Sequence, residues 1–82
     1  MDNYQLFTSP LCRAVTADGH TVRLEIYRGP DTEWTLEAVD ELNNSTVWDD
    51  LFPTDQAALD EALRTIRDEG IESLIGSPSN TQ

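Results

Sequence analysis

His20-Thr21-Val22-Arg23-Leu24-Glu25-Ile26-Tyr27-Arg28 and, past Gly29-Pro30-Asp31, Glu33-Trp34-Thr35-Leu36-Glu37-Ala38-Val39-Asp40 decide the fold. In the first stretch Val22, Leu24 and Ile26 point one way, and Thr21, Arg23, Glu25 and Tyr27 the other. The second stretch repeats the pattern with Trp34, Leu36 and Ala38. A period of two is the mark of a strand with one buried face. Gly29-Pro30-Asp31 has the composition of a turn, since proline presets one backbone angle and glycine relaxes another. Closing the pair through it sets Ile26 against Trp34, Leu24 against Leu36 and Val22 against Ala38. The same register sets Arg23 opposite Glu37, a favourable cross-strand pair. An antiparallel hairpin is therefore expected.

Working outward, Leu11–Thr16 is a short β-capable run, and Asp18-Gly19 is the strongest short hairpin signal in the chain. Asn43-Asn44 marks another turn, because asparagine tolerates left-handed backbone angles. Ser45–Asp49 then supplies a fourth short strand of open register. A two-residue turn puts Val47 on the core face and Trp48 outside beside Val39; a three-residue turn reverses this. Thr54 reads as a helix N-cap, Leu59, Ala62, Leu63 and Ile66 form one stripe flanked by Ala58, and Gly70 is placed to stop the helix in a left-handed cap. A helix over 55–69 follows, with Ile71 meeting Ile66 after it.

The expected fold is α+β: an antiparallel four-stranded meander, β-β-β-β-α, with one C-terminal helix packed on one face in two layers. Residues 1–9 read as a loose segment, with Tyr4, Leu6 and Phe7 available to dock on the body. Residues 10–75 read as the single domain and 76–82 as a disordered tail. No apolar run approaches the roughly 18 residues a membrane span needs. The N-terminus lacks the basic start and long apolar stretch of a signal peptide, and the single Cys12 forms no internal disulfide. A reducing cytoplasm is the natural setting.

Charge is the most informative feature. The 82 residues carry a formal net charge of −11 and no lysine. Over residues 1–30 three acids meet three arginines. Over residues 31–72 thirteen acids meet only Arg64 and Arg67, which accounts for the entire excess. Such a field repels phosphate backbones and attracts basic surfaces, so direct nucleic-acid binding is disfavoured. The plain alternative is that acidity keeps the protein soluble.

Few residues suggest chemistry. His20 follows a hairpin turn, yet no serine or cysteine is fixed near it by sequence, so it reads as a solvent-exposed turn residue. Cys12 reads as a small buried apolar residue. The twelve residues from Asp49 to Asp60 begin and end in an acid but lack oxygen ligands at Leu51 and Pro53 and the glycine at Thr54, so a calcium loop is not expected. The sequence implies no cofactor, no metal and no catalytic residue. Asn43-Asn44-Ser45 and Asn44-Ser45-Thr46 match the glycosylation acceptor pattern but read as turn chemistry. On the helix, Asp60 with Arg64 and Arg64 with Asp68 are i,i+4 pairs. Asp68 and Glu69 also occupy the last turn, where the helix dipole disfavours negative charge.

Two surface features point to binding. Tyr27, Val39 and one of Val47 or Trp48 fall on the outer sheet face, ringed by Glu33, Glu37 and Glu41. Asp49, Asp50, Asp68 and Glu69 add charge without an evident stabilising role. An aromatic group inside a polar rim is typical of an interface. The expected site is therefore Tyr27, Glu33, Glu37, Val39, Glu41, Trp48, Asp49, Asp50, Asp68 and Glu69. The expected partner is a basic or nucleic-acid-binding protein. In the sharpest form the protein is a nucleic-acid mimic, its carboxylates standing where phosphates would, as in some antirestriction and anti-CRISPR proteins; that likeness is one of charge, not sequence. The alternative is a homo-oligomeric structural domain whose outer apolar patch is a subunit contact and whose acidity serves solubility.

Overall fold

The computed structural model describes residues 6–75; Tyr4 and the tail beyond Ile75 lie outside the described residues. Five antiparallel strands, β1 (Phe7–Thr8), β2 (Arg13–Ala17), β3 (His20–Arg28), β4 (Thr35–Asp40) and β5 (Ser45–Val47), precede helix α1 (Asp55–Glu69) and a 3₁₀ turn (Ile71–Leu74). The sheet runs β1-β3-β4-β5, with β2 beside β1 along the same edge of β3. The helix and the 3₁₀ turn cover one face. Val22, Leu24, Ile26, Leu36, Ala38, Ala58, Leu59, Ala62, Ile71 and Leu74 form the buried core between the two layers. Among the described residues no helix is long and apolar enough to cross a membrane.

The β2–β3 hairpin closes as its sequence requires. Asp18 and Gly19 have φ of 52° and 81°, the mirror-image turn whose twist matches that of the flanking strands. The first edge of the sheet begins earlier than residue 10, because Phe7–Thr8 already pairs with Tyr27–Arg28. Between β1 and β2 the chain leaves the ladder at Ser9-Pro10-Leu11-Cys12. The backbone groups of Ile26 that this would orphan are satisfied locally. The Ile26 N–H donates to Cys12 Sγ (3.1 Å), and the Ile26 carbonyl accepts from the Ser9 N–H (2.9 Å) and the Cys12 thiol (3.5 Å). Cys12 is thus partly buried outside a strand, and its thiol fills a gap in the ladder. Ser9, 3% exposed, accepts from the Leu11 N–H and donates to Asp55 Oδ2 at 2.8 Å, joining this edge to the first turn of α1.

The β3–β4 register differs by two residues from the one the apolar pattern suggests. Leu24 faces Ala38, Ile26 faces Leu36 and Val22 faces Asp40. Arg23 lies opposite Val39 rather than Glu37, and Glu25 lies opposite Glu37. Two facts set this register. Thr32 Oγ1 accepts the Gly29 N–H, widening the loop, and Trp34 exchanges both backbone hydrogen bonds with Phe52 instead of pairing with Ile26. A slip of two leaves every side chain on its original face, so the core is unaffected.

The helix keeps its expected bounds. Thr54 Oγ1 accepts from the Ala57 N–H at 3.0 Å and Asp55 favours the positive end of the dipole. Its buried face is Ala58, Leu59, Ala62 and Thr65; Leu63 is exposed and Ile66 half-buried, so the helix docks rotated from the stripe expected. Thr65 tolerates burial because its hydroxyl donates to the Glu61 carbonyl. Gly70 ends the helix with φ 89° and ψ 148°, a conformation left to glycine but extended rather than left-handed helical. Ile71 then turns into the core, 1% exposed.

Candidate functional site

The β4–β5 turn decides where the second tryptophan goes. Asp40 is 4% exposed, and its carboxylate accepts the N–H groups of Leu42 and Asn44 and the Asn44 side-chain amide. Asn43 takes φ 66° between them. The Asp40 N–H donates to the Asn44 carbonyl, which closes a three-residue turn. Val39 then faces Ser45, Ala38 faces Thr46 and Glu37 faces Val47. Val47 therefore lies on the outer face, 50% exposed, and Trp48 turns to the helix side, packed against the core. Trp48 is not beside Val39 on the outer face.

The expected site residues consequently fall into separate places. Tyr27, Glu37 and Val39 share the outer face, where the Tyr27 hydroxyl donates to Glu37 Oε1 at 2.9 Å. Partial burial raises the Tyr27 pKa, and the Glu37 carboxylate raises it further. Glu33 is exposed on the β3–β4 loop, and Asp49-Asp50 are exposed just past β5; the Trp34–Phe52 bridge brings these segments to one end of the sheet. Glu41 is exposed in the β4–β5 turn at the opposite end. Neither Leu6 nor Phe7 seals the outer face: Leu6 is 53% exposed, and Phe7 pairs with Arg28 on the helix side.

What the structure does assemble is an open groove of about 320 Å³ between β5 and α1. Thr46, Val47, Trp48 and Asp49 line it from the β5 side, Glu61, Arg64, Thr65 and Glu69 from the helix, and Ser73 and Leu74 from the 3₁₀ turn. Of the expected residues it joins Trp48, Asp49 and Glu69; Glu61 and Thr65 were not singled out from the sequence, and Arg64 was read only as a partner in helical ion pairs. A signal existed in the helix, where Glu61, Thr65 and Glu69 recur every four residues on one face. Using it required knowing where β5 lies.

Electrostatics along the helical wall are organised around Arg64. Its guanidinium donates to Glu61 through Nε and Nη2 (3.0 and 2.8 Å) and meets Asp68 at 3.5 Å. The hydrogen bond from Arg64 holds the Glu61 carboxyl below its ordinary range, with smaller help from Trp48 and Thr65. Asp68 is likewise lowered, chiefly by the Arg67 side chain at 3.0 Å. The Asp60–Arg64 pair does not form, because Arg64 is committed to Glu61 and Asp60 accepts from Gln56. Asp68, whose last-turn charge seemed uncompensated, is answered by two arginines.

The remaining cations are also engaged within the molecule. Arg13 donates to the Leu11 carbonyl, Arg23 pairs with Glu25, and Arg28 lies over the rings of Phe7 and Trp34 at 4.8 and 5.2 Å. His20 approaches Glu72 at 3.7 Å and is half-exposed, not a bare turn residue. By contrast Asp31, Glu33, Glu41, Asp49, Asp50, Asp60 and Glu69 are exposed and form no ion pair among the described residues. Among those residues no three His, Cys, Asp or Glu side chains converge as metal ligands would. No family model, no curated protein and no solved structure matches the chain.

Proposed function

We propose that the protein is a non-enzymatic binding protein that engages a basic protein partner, and that the groove between β5 and α1, with Asp49-Asp50 at its rim, is the contact. One observation carries the reading. All five arginines are spent on contacts inside the molecule, while seven exposed carboxylates from residues 31–72 form no ion pair among the described residues. Exposed acids left without partners create a field that accelerates encounter with a positive surface and disfavours wrong partners. A half-buried tryptophan beside them adds apolar contact of the kind that anchors interfaces. In its sharpest form the partner is a nucleic-acid-binding protein, with carboxylates held where its phosphate sites expect charge.

The test is capture from lysate on the immobilised protein, followed by identification of what is retained. It is repeated with the combined variant Asp49→Asn, Asp50→Asn, Glu69→Gln. A basic protein held by the parent, released by moderate salt and lost with the variant is the expected result. Equal retention by the neutralised variant, or nothing held above a bare support, overturns the reading.

A further inference from the structure

β5 is the last strand of the sheet, and among the described residues nothing pairs with its outer edge. The Asp40 N–H donates to the Asn44 carbonyl and the Trp48 N–H donates to the Leu36 carbonyl (2.9 and 3.1 Å). Peptide groups alternate in direction along a strand, so those of Asn44, Thr46 and Trp48 face β4 and those of Ser45 and Val47 face outward. Their N–H and C=O groups form a short template for an added strand. The groove opens beside this edge, and its lining carries Asp49, Glu61 and Glu69 against the single cation Arg64.

We infer that β5 takes up a basic extended segment of the partner as an additional strand. This rests on the reading of the protein as a binder of basic proteins and specifies how the partner is held. Backbone hydrogen bonds at Ser45 and Val47 fix the segment, and its alternate side chains enter the groove on the side of Thr46 and Trp48. The helical wall from Glu61 to Glu69 advances by eight residue steps, about 12 Å at 1.5 Å each. Four strand steps cover about 13 Å, so side chains i, i+2 and i+4 of the segment lie along that wall. Lysine or arginine at the outer two positions meets Asp49 and Glu69, neither of which forms an ion pair among the described residues. A second copy of this chain is a poor occupant, since edge-to-edge pairing brings together two molecules of net charge −11 with acids at both rims.

The probe is a fluorescent heptapeptide of alternating lysine and valine, followed by anisotropy and by amide NMR of the full chain. The expected result is saturable binding, with the Ser45 and Val47 amide signals moving most. N-methylation of those peptide residues whose N–H groups point toward β5 weakens binding about tenfold, while methylation of the alternate set leaves it unchanged. Val47→Pro, which deletes an outward donor without touching the β4 ladder, weakens binding by a similar factor. Should that variant not fold, the methylated peptides still decide on the parent protein. Binding indifferent to both methylated sets yet lost in the Asp49→Asn, Glu69→Gln variant overturns the added strand and leaves the acidic contact standing. No binding of the peptide overturns the added strand too, and the lysate capture then judges the broader reading independently.

Discussion

The two edges of the sheet are finished differently. Along the β1–β2 edge the chain breaks at Pro10, tucks a thiol into the gap and anchors Ser9 to the helix, so the run of peptide groups is interrupted between Thr8 and Arg13 and resumes only along β2. Proline, interruption and a nearby arginine are the usual ways of protecting an edge. The β5 edge has none of these: Ser45–Val47 is straight, and carries neither proline nor bulge. Its brevity and the acids that follow it limit indiscriminate pairing, yet it borders the groove. Charge divides the same way, since β1 and β2 of the interrupted edge come from the neutral first thirty residues and β5 from the acidic remainder. The break at Pro10 divides one edge into two short pieces, whereas the other edge runs unbroken beside the groove.

The most severe way to break the contrast is to remove the scaffold both edges share. Leu36→Ala empties a fully buried position in β4 and should cost about 2–5 kcal/mol. Urea unfolding followed at the two tryptophans should then show one earlier transition rather than loss of a single edge. Ser9→Ala attacks the interrupted edge alone. It strips the Asp55 carboxylate and the Leu11 N–H of a buried partner and should cost about 1–3 kcal/mol, read from the same midpoint. Hydrogen exchange should quicken at Ile26 before it quickens in β5.

Paired proline substitutions sharpen the other side. Thr46→Pro removes a ladder donor aimed at β4, whereas Val47→Pro removes one aimed outward. Thr46→Pro should be the less stable by about 0.5–1.5 kcal/mol, the net worth of one such bond. Equal stabilities would contradict the register. The smallest effect concerns the helical wall of the groove. Glu61 and Asp68 titrate below their ordinary values of 4.5 and 3.8, so what they add to stability is complete above about pH 5 and fades as acid passes through the lowered values. Arg64→Ala should flatten that part of the pH profile, measured as the urea midpoint between pH 6 and pH 3.

Elements governed by neighbouring residues were legible from the sequence. Asp18-Gly19 fixes its hairpin locally, and Thr54 with Gly70 brackets the helix at both ends. The β3–β4 register was not legible, because a two-residue slip preserves both faces and only the distant Phe52, by claiming Trp34, distinguishes the alternatives. Leu63 and Thr65 exchanged places for a related reason: periodicity defines a stripe, but the final rotation of a helix depends on what it packs against. The groove was hidden furthest, since it required the β5 register and the helix rotation together. Its acids could be counted beforehand; that Glu61 is bound to Arg64 while Glu69 is not could only come from their placement.

Asp40 gives the molecule a hinge point in sequence space. Three hydrogen bonds to one concealed carboxylate choose an odd-numbered connection over an even one. Parity at that corner dictates whether an indole is sheltered or shown to the surroundings. Lengthening or trimming the corner by one amino acid would turn the final strand over, emptying the groove of its tryptophan and delivering it to the opposite surface with nothing else in the core rewritten.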